Sequence, residues 1–198
     1  MKKMYSHDIV KLADENGGIL FSSVVTAHGI PREYIRRATR EGYLENVARG
    51  VYVTHDALAD EAYILQTQYP KAIFSHETAA YYLGYTTRDP LVYTVIIPTG
   101  YNATPLKKNG TKVYYSAKID KSLFVKAVTP FGREIVCFSI EKTICDMCSA
   151  SFKGDKDIAI EVIKSYVRSK NRNIPALIRH ATTERVKKTL KGYLEVLL

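Results

Sequence analysis

The chain has 198 residues, which is long enough for one medium domain or for a small domain joined to a larger one. Hydrophobic residues make up 46% of it and charged residues 25%, a composition that excludes wholesale disorder. The 29 lysine and arginine residues outnumber the 20 acidic ones, and the net charge of +9 favours polyanionic partners such as nucleic acid.

The basic excess is unevenly distributed along the chain. Residues 1–56 hold eight of the basic and seven of the acidic side chains, so the excess lies almost entirely in the remainder. If the N-terminal part binds DNA, it must therefore do so with locally placed arginines, and the second part could extend the electrostatic surface.

The sequence predicts a cytoplasmic protein that does not enter a membrane. The N-terminus has neither an apolar segment nor a small-residue cleavage site, so we expect no signal peptide. The longest apolar runs, such as residues 92–97, are the length of a strand and far shorter than a membrane span.

Three cysteines are present, Cys137, Cys145 and Cys148, and an odd number argues against a disulfide framework. Cys145 and Cys148 have the spacing of a redox or zinc motif, but no second pair completes a metal shell. We expect buried thiols, and we expect neither a metal nor a cofactor.

The first predicted elements are a helix that ends near Gly17, a short strand at residues 19–21 and a helix that begins at Ser22 or Ser23. A break at residues 28–31 follows, where Gly29 permits positive φ and Pro31 suits a helix start. A third helix is predicted at residues 32–41 and stops at Gly42.

A β-hairpin is predicted next, with strands at 43–47 and 51–53 and a glycine at its bend. These elements follow the order of a winged helix-turn-helix. They are a helix, a short strand, a second helix, a glycine turn, an arginine-rich helix and a hairpin with a basic tip. We therefore predict a DNA-binding domain of this type at residues 1–56, with the hairpin as the wing.

The third helix of such a domain enters the major groove, where arginine can bond guanine or phosphate. We expect Arg40 to contact a backbone phosphate. We expect Arg49, at the tip of the wing, to contact a phosphate or to enter the minor groove. Free backbone amides at the start of the second helix could bind another phosphate. The complete set of expected DNA contacts is Ser22, Ser23, Arg32, Tyr34, Arg36, Arg37, Arg40 and Arg49.

Two other interpretations of the arginine-rich helix remain open. Its arginines could be a solvated face, with Glu33 paired to Arg36 or Arg37 at helical spacing. Winged helices also act as protein-interaction modules without touching DNA. The ordered set of elements and the arginine cluster favour DNA binding.

Beyond the wing, we predict a helical linker region at residues 57–90 and a mixed α/β domain at residues 91–198 that ends in helices, so the fold class is α+β. His76 and Glu77 could suggest a metal or acid–base pair, but a helix-capping role for this polar start, with Ser75 before the helix, explains them better. Basic residues accumulate in the last helices, either as a solvated face or as a surface for nucleic acid or an acidic partner.

Several segments resemble AbiEi-type antitoxins. They are residues 16–19, 29–32 and, above all, 41–52 (EGYLENVARGVY), followed by 74–80, 95–101, 129–132 and 141–146. The resemblance implies an antitoxin that represses its own operon by binding inverted repeats in the promoter through the winged helix. It further implies a role in abortive infection, the defence of bacteria against phage. The C-terminal domain would supply the antitoxin activity and the cooperative self-association on DNA. The toxin would resemble a nucleotidyltransferase, and the antitoxin would counteract it without forming a stable complex.

Two alternatives belong to other functional classes. A nuclease or nucleotidyltransferase would need clustered carboxylates to hold a divalent metal, and the sequence has no such motif; Asp155 and Asp157 are better explained as charges at a helix start. We therefore expect no enzyme activity. A protein that neutralises its toxin by direct contact is the other alternative.

Overall fold

The computed structural model describes residues 2–183 and 185–197, and of residues 2–7, 196 and 197 it describes the backbone alone. It divides into two compact units, Met1–Ile64 and Leu65–Leu198. The boundary between these units lies inside a helix at residues 61–68. The segment predicted as a helical linker region also contains a two-residue strand of the second unit, at residues 73–74.

The first unit has three helices and a three-stranded antiparallel sheet in the order β1-β3-β2. Its elements are α1 (Lys2–Glu15), β1 (Ile19–Phe21), α2 (Ser22–Ala27), α3 (Glu33–Arg40), β2 (Leu44–Ala48) and β3 (Val51–Thr54). Helix α4 (Glu61–Gln68) follows and crosses the boundary between the units. This arrangement confirms the predicted winged helix-turn-helix.

Burial of one apolar face from each helix holds the first unit together. Ile9 and Ala13 on α1, Val25 on α2, and Ile35 and Ala38 on α3 are all at most 2% exposed and share one cluster. Because Ile35 and Ala38 are three residues apart, the same side of α3 faces the core and the opposite side is left to solvent.

The second unit is a mixed sheet with helices, in strand order β6-β5-β4-β8-β7. Its elements are β4 (Ile73–Phe74), α5 (His76–Tyr82), β5 (Thr94–Pro98), α6 (Thr104–Lys108), β6 (Lys112–Ser116), β7 (Phe124–Val128), β8 (Glu134–Phe138), α7 (Ile140–Met147), α8 (Lys156–Arg168), α9 (Ile174–Thr183) and α10 (Lys187–Leu197). Strand β4 pairs antiparallel with β5 and parallel with β8, and it forms the centre of the sheet. The α+β class is confirmed.

The last four helices enclose an extensive apolar cluster in the second unit. Ile144 on α7, Val162 and Tyr166 on α8, Leu177 on α9 and Leu190 on α10 are fully buried in it. At about 25 cal/mol per Å² of buried apolar surface, side chains of this size each stabilise the fold by roughly 1.5–3 kcal/mol. The helical C-terminus is therefore an integral part of this unit.

All three cysteines are buried free thiols, as the sequence predicts. Burial raises the pKa of Cys137 and that of Cys148 to about 12, so both are uncharged and unreactive near neutral pH. Within residues 2–183 and 185–197, no helix is long and apolar enough to cross a membrane.

Candidate nucleic-acid interface

Helix α3 presents a single row of arginines to solvent. Arg32 immediately precedes the helix, and Arg36 and Arg40 follow at intervals of four residues, which is close to the helical repeat. All three are exposed, while Ile35 and Ala38 on the other side are buried. At 1.5 Å per residue the row extends over about 12 Å, a length suited to the major groove.

Arg37 and Tyr34 lie away from this row. The Arg37 Nε donates to Glu41 Oε1 at 2.6 Å, and this hydrogen bond, together with the Glu41 charge, raises the pKa of Arg37 above its ordinary value. Tyr34 is half-buried against the core cluster. Arg37 therefore pairs with Glu41 in the structure, whereas the helical spacing in the sequence offered Glu33 as a partner.

The turn between α2 and α3 is stabilised by side chains as well as by its backbone. Arg32 Nε donates to Thr26 Oγ1 at 3.2 Å, and the His28 Nδ1 lies 2.9 Å from the Val24 carbonyl oxygen. Gly29 has φ +69°, which lets the chain reverse direction between the helices. These contacts fix the start of α3, where the row of arginines begins.

The wing is a two-residue turn formed by Arg49 and Gly50 between β2 and β3. Gly50 has φ +74°, a conformation that favours glycine. Arg49 is exposed at the tip, in the position that the sequence predicts. The exposed Asn46 holds the turn, because its Nδ2 donates to the carbonyl oxygens of Ala48 at 2.9 Å and Val51 at 3.1 Å.

The two serines at the start of α2 differ in their surroundings. The Ser22 amide donates to the Gly50 carbonyl oxygen at 2.8 Å, so it is already used in joining the wing to α2. The expectation of a free amide at Ser22 is therefore wrong, because the wing occupies it. Ser23 is exposed.

Comparison with protein families finds a match in this domain. The family model described as "Transcriptional regulator, AbiEi antitoxin" matches residues 7–55, the stretch that contains α2, α3 and the wing. The first unit is therefore similar to AbiEi antitoxin regulators over these residues, and we refer to it as the AbiEi-type domain. The match agrees with the resemblance inferred from the sequence, and it supports a role in transcription regulation and DNA binding.

The whole chain is similar in fold to a solved structure, the RV2827C protein from Mycobacterium tuberculosis. The TM-score is 0.67 at 17% identity, and the alignment covers 96% of this chain and 77% of that one. This similarity shows a shared fold that extends beyond the AbiEi-type domain. No curated protein matches the chain significantly.

Outside the AbiEi-type domain, a groove of about 870 Å³ lies between helix α8 and the segment that follows α5. Arg88 pairs there with both Glu161 at 3.0 Å and Asp155 at 3.7 Å, so two carboxylates share one guanidinium and this cluster is net acidic. Lys164 and Arg168, four residues apart on α8, line the groove as well. The groove therefore has a basic side formed by these two residues.

His76 is a buried structural histidine. It is 2% exposed and stacks on Tyr114, with ring centroids 4.1 Å apart, and on Phe152 at 5.6 Å. Burial, aided by the charges of Lys142 and Lys112, lowers the pKa of His76 to about 3. The imidazole is therefore neutral under physiological conditions and packs as an aromatic ring.

The polar start of α5 does not contain a side-chain cap. Ser75 is the residue before the helix, but its Oγ lies 2.9 Å from His76 Nδ1 and does not bond the helix backbone. The capping role expected for this segment is therefore wrong, because the serine hydroxyl pairs with the imidazole. In the part of the chain that the structure describes, no group of three or more His, Cys, Asp or Glu side chains could hold a metal ion.

Two features of the interface were missed by sequence reasoning. One is the pair of hydrogen bonds from Asn46 to the wing backbone, and the other is the hydrogen bond from the Ser22 amide to Gly50. Both depend on the register of the hairpin, which the sequence alone does not specify. An asparagine close to a predicted hairpin turn is a signal for such a role, since its side chain bonds nearby backbone.

Proposed function

We propose that this protein is a cytoplasmic antitoxin that represses its own operon by binding inverted repeats in the promoter. The observation that carries the proposal is the exposed row of Arg32, Arg36 and Arg40 on α3, in a domain of the AbiEi antitoxin type with a wing that ends in Arg49. An exposed row of arginines opposite a buried apolar face is the arrangement expected of a recognition helix.

The arginines take different roles in this proposal. Arg32 and Arg36, at the start of α3, contact base edges or the adjoining phosphates, because the N-terminal part of a recognition helix lies nearest the bases. Arg40, at the far end, binds phosphate. Arg49 reaches a phosphate or the minor groove from the wing.

The remaining predicted residues support these contacts. Arg37 is paired with Glu41, and Tyr34 packs against the core cluster. Arg37 and Tyr34 therefore help to position α3, and they contact DNA at most at the edge of the interface. Ser23 is exposed at the start of α2 and can donate its hydroxyl to phosphate, whereas Ser22 anchors the wing.

We further propose that the second unit counteracts a nucleotidyltransferase-like toxin in defence against phage, and that no stable complex between toxin and antitoxin forms. The resemblance to AbiEi antitoxins, the basic excess beyond residue 56 and the basic side of the groove at Lys164 and Arg168 support this assignment. The protein acts by binding, without catalysis and without a cofactor, and it self-associates cooperatively on DNA.

Footprinting on the DNA upstream of its own gene tests the repressor role. We expect two protected half-sites in inverted orientation, separated by one helical turn or a multiple of it, with occupancy rising more steeply than for a single site. Uniform weak protection of upstream and unrelated DNA alike would contradict specific repression.

Co-expression with the neighbouring toxin gene tests the antitoxin role. We expect growth to be restored while a tagged antitoxin fails to retain the toxin at physiological salt. Retention of the toxin would instead favour neutralisation by direct contact. Magnesium-dependent cleavage of DNA or RNA by the purified protein would favour the enzyme alternative.

A further inference from the structure

One exposed side chain beside the wing turn bonds the backbone of that turn. The Asn46 amide group donates to the carbonyl oxygens of Ala48 and Val51, the residues on either side of the turn. Both of its amide hydrogens are therefore used to clamp the turn that carries Arg49.

The hairpin is irregular at this point, which explains why it needs such a clamp. Asn46 pairs with Tyr52 and Ala48 pairs with Val51, so Val47 is an additional residue on β2 and forms a bulge. A bulge disrupts the ladder and increases the local twist. Without side-chain bonds, the two-residue turn beyond it would be less well defined.

A second contact ties the same turn to the helix-turn-helix. The Gly50 carbonyl oxygen accepts from the Ser22 amide, and a Cβ on Gly50 would lie 2.8 Å from Ser22 Oγ. The wing turn therefore packs directly on the start of α2. A change in the turn alters the position of Arg49 relative to the helices of the same domain.

We propose that Asn46 is a positioning residue for DNA binding, which acts by holding the wing turn so that Arg49 meets the duplex while α3 occupies the major groove. The inference rests on the proposed DNA-binding function. Asn46 itself need not touch DNA, because its bonds to the wing backbone already use its two donor hydrogens.

A double-mutant cycle on the full chain tests this role, with affinity measured on a labelled duplex from the region upstream of its own gene. We expect Asn46→Ala to weaken binding about three- to tenfold, in line with the loss of one or two hydrogen bonds that hold a contact in place. In an Arg49→Ala background the same substitution should change affinity less than about twofold, because the contact that it positions is absent.

Two variants serve as controls for structure. Val47→Ala alters the same bulge without touching the turn bonds, and we expect it to bind as the wild type does. Asn46→Ser retains a hydroxyl donor and should recover part of the lost affinity, even if Asn46→Ala lowers the melting temperature.

Equal effects of Asn46→Ala in the presence and absence of Arg49 would overturn the positioning role, as would full affinity in Asn46→Ala. Failure of the wild type to bind its upstream duplex any better than an unrelated one would overturn the proposed function and this inference with it. An additive cycle in a wild type that binds specifically would overturn the inference alone.

Discussion

The buried imidazole of His76 makes the stability of the second unit dependent on pH. In the unfolded chain a histidine takes up a proton near pH 6.5, whereas burial between Tyr114 and Phe152 lowers the pKa of His76 to about 3 in the folded state. Between about pH 3 and pH 6.5 this histidine is therefore protonated in the unfolded chain and neutral in the folded protein. The stabilisation is therefore complete above pH 6.5 and is lost as the pH falls towards 3.

The size of the effect follows from the separation of the two pKa values. Each pH unit within the window changes the free energy of unfolding by about 1.4 kcal/mol. Between pH 7 and pH 5 the loss is about 2 kcal/mol, because protonation of the unfolded chain becomes appreciable only below its own pKa. This is a large part of the 5–15 kcal/mol that is typical of a domain.

Urea unfolding at pH 7, 6 and 5, followed by circular dichroism, measures the dependence in the wild type and in His76→Phe. The phenyl ring retains the stacking but cannot be protonated, so the variant should lose about 2 kcal/mol less than the wild type over this range. His55→Gln, at an exposed histidine, should follow the wild type. Parallel pH dependence in the wild type and His76→Phe would refute the assignment.

Two further predictions concern the AbiEi-type domain. Gly50→Ala should lower its free energy of unfolding by about 1–3 kcal/mol in thermal melts, since φ is +74° and the new Cβ would meet Ser22 Oγ. Gly29 has a similar φ of +69°, but a Cβ added there would meet no atom of the described residues within 4 Å, so Gly29→Ala should lower the free energy of unfolding less than Gly50→Ala does. An equal decrease in both variants would show that the contact between the wing and Ser22 is unimportant. Arg40→Ala should reduce the slope of log affinity against log salt by about 0.9 through loss of one phosphate contact, and an unchanged slope would remove Arg40 from the phosphate contacts.

The N-terminal elements could be predicted from sequence because local signals agree there. Glycine at positions 29 and 50 marks the turns, and Ile35 with Ala38 gives the periodicity of α3, so each predicted element lies within a few residues of its observed place. The burial of the three cysteines also followed from their apolar context and odd number.

Two elements of the second unit could not be predicted, because tertiary packing creates them. Strand β4 has only two residues, and its place at the centre of the sheet depends on pairing with β5 and β8. Helix α6 lies in a stretch for which Pro105 and Gly110, as turn signals in the sequence, favour a loop. In the structure Pro105 is in the first turn of the helix, where its missing amide costs nothing, and Leu106 is buried.

The sequence predicts which types of residue form the candidate interface, but it only partly predicts how their side chains are arranged. The sequence supplied the arginines, but it could not separate Arg36, which is exposed, from Arg37, which pairs with Glu41. That distinction depends on which rotamers the folded helix allows. Likewise, the Ser22 amide is occupied only because the wing folds back on the start of α2.

The affinity of one double variant tests the central claim most directly. With Arg36→Ala and Arg40→Ala combined, binding to the upstream duplex at physiological salt should weaken at least about thirtyfold, since a base contact and a charged phosphate contact, each worth at least about 1 kcal/mol, together contribute at least about 2 kcal/mol. Lys108→Ala combined with Lys121→Ala removes the same charge from exposed positions in the second unit and should change affinity far less. Equal affinity of the arginine variant and the wild type would contradict the assignment of α3 as the recognition helix.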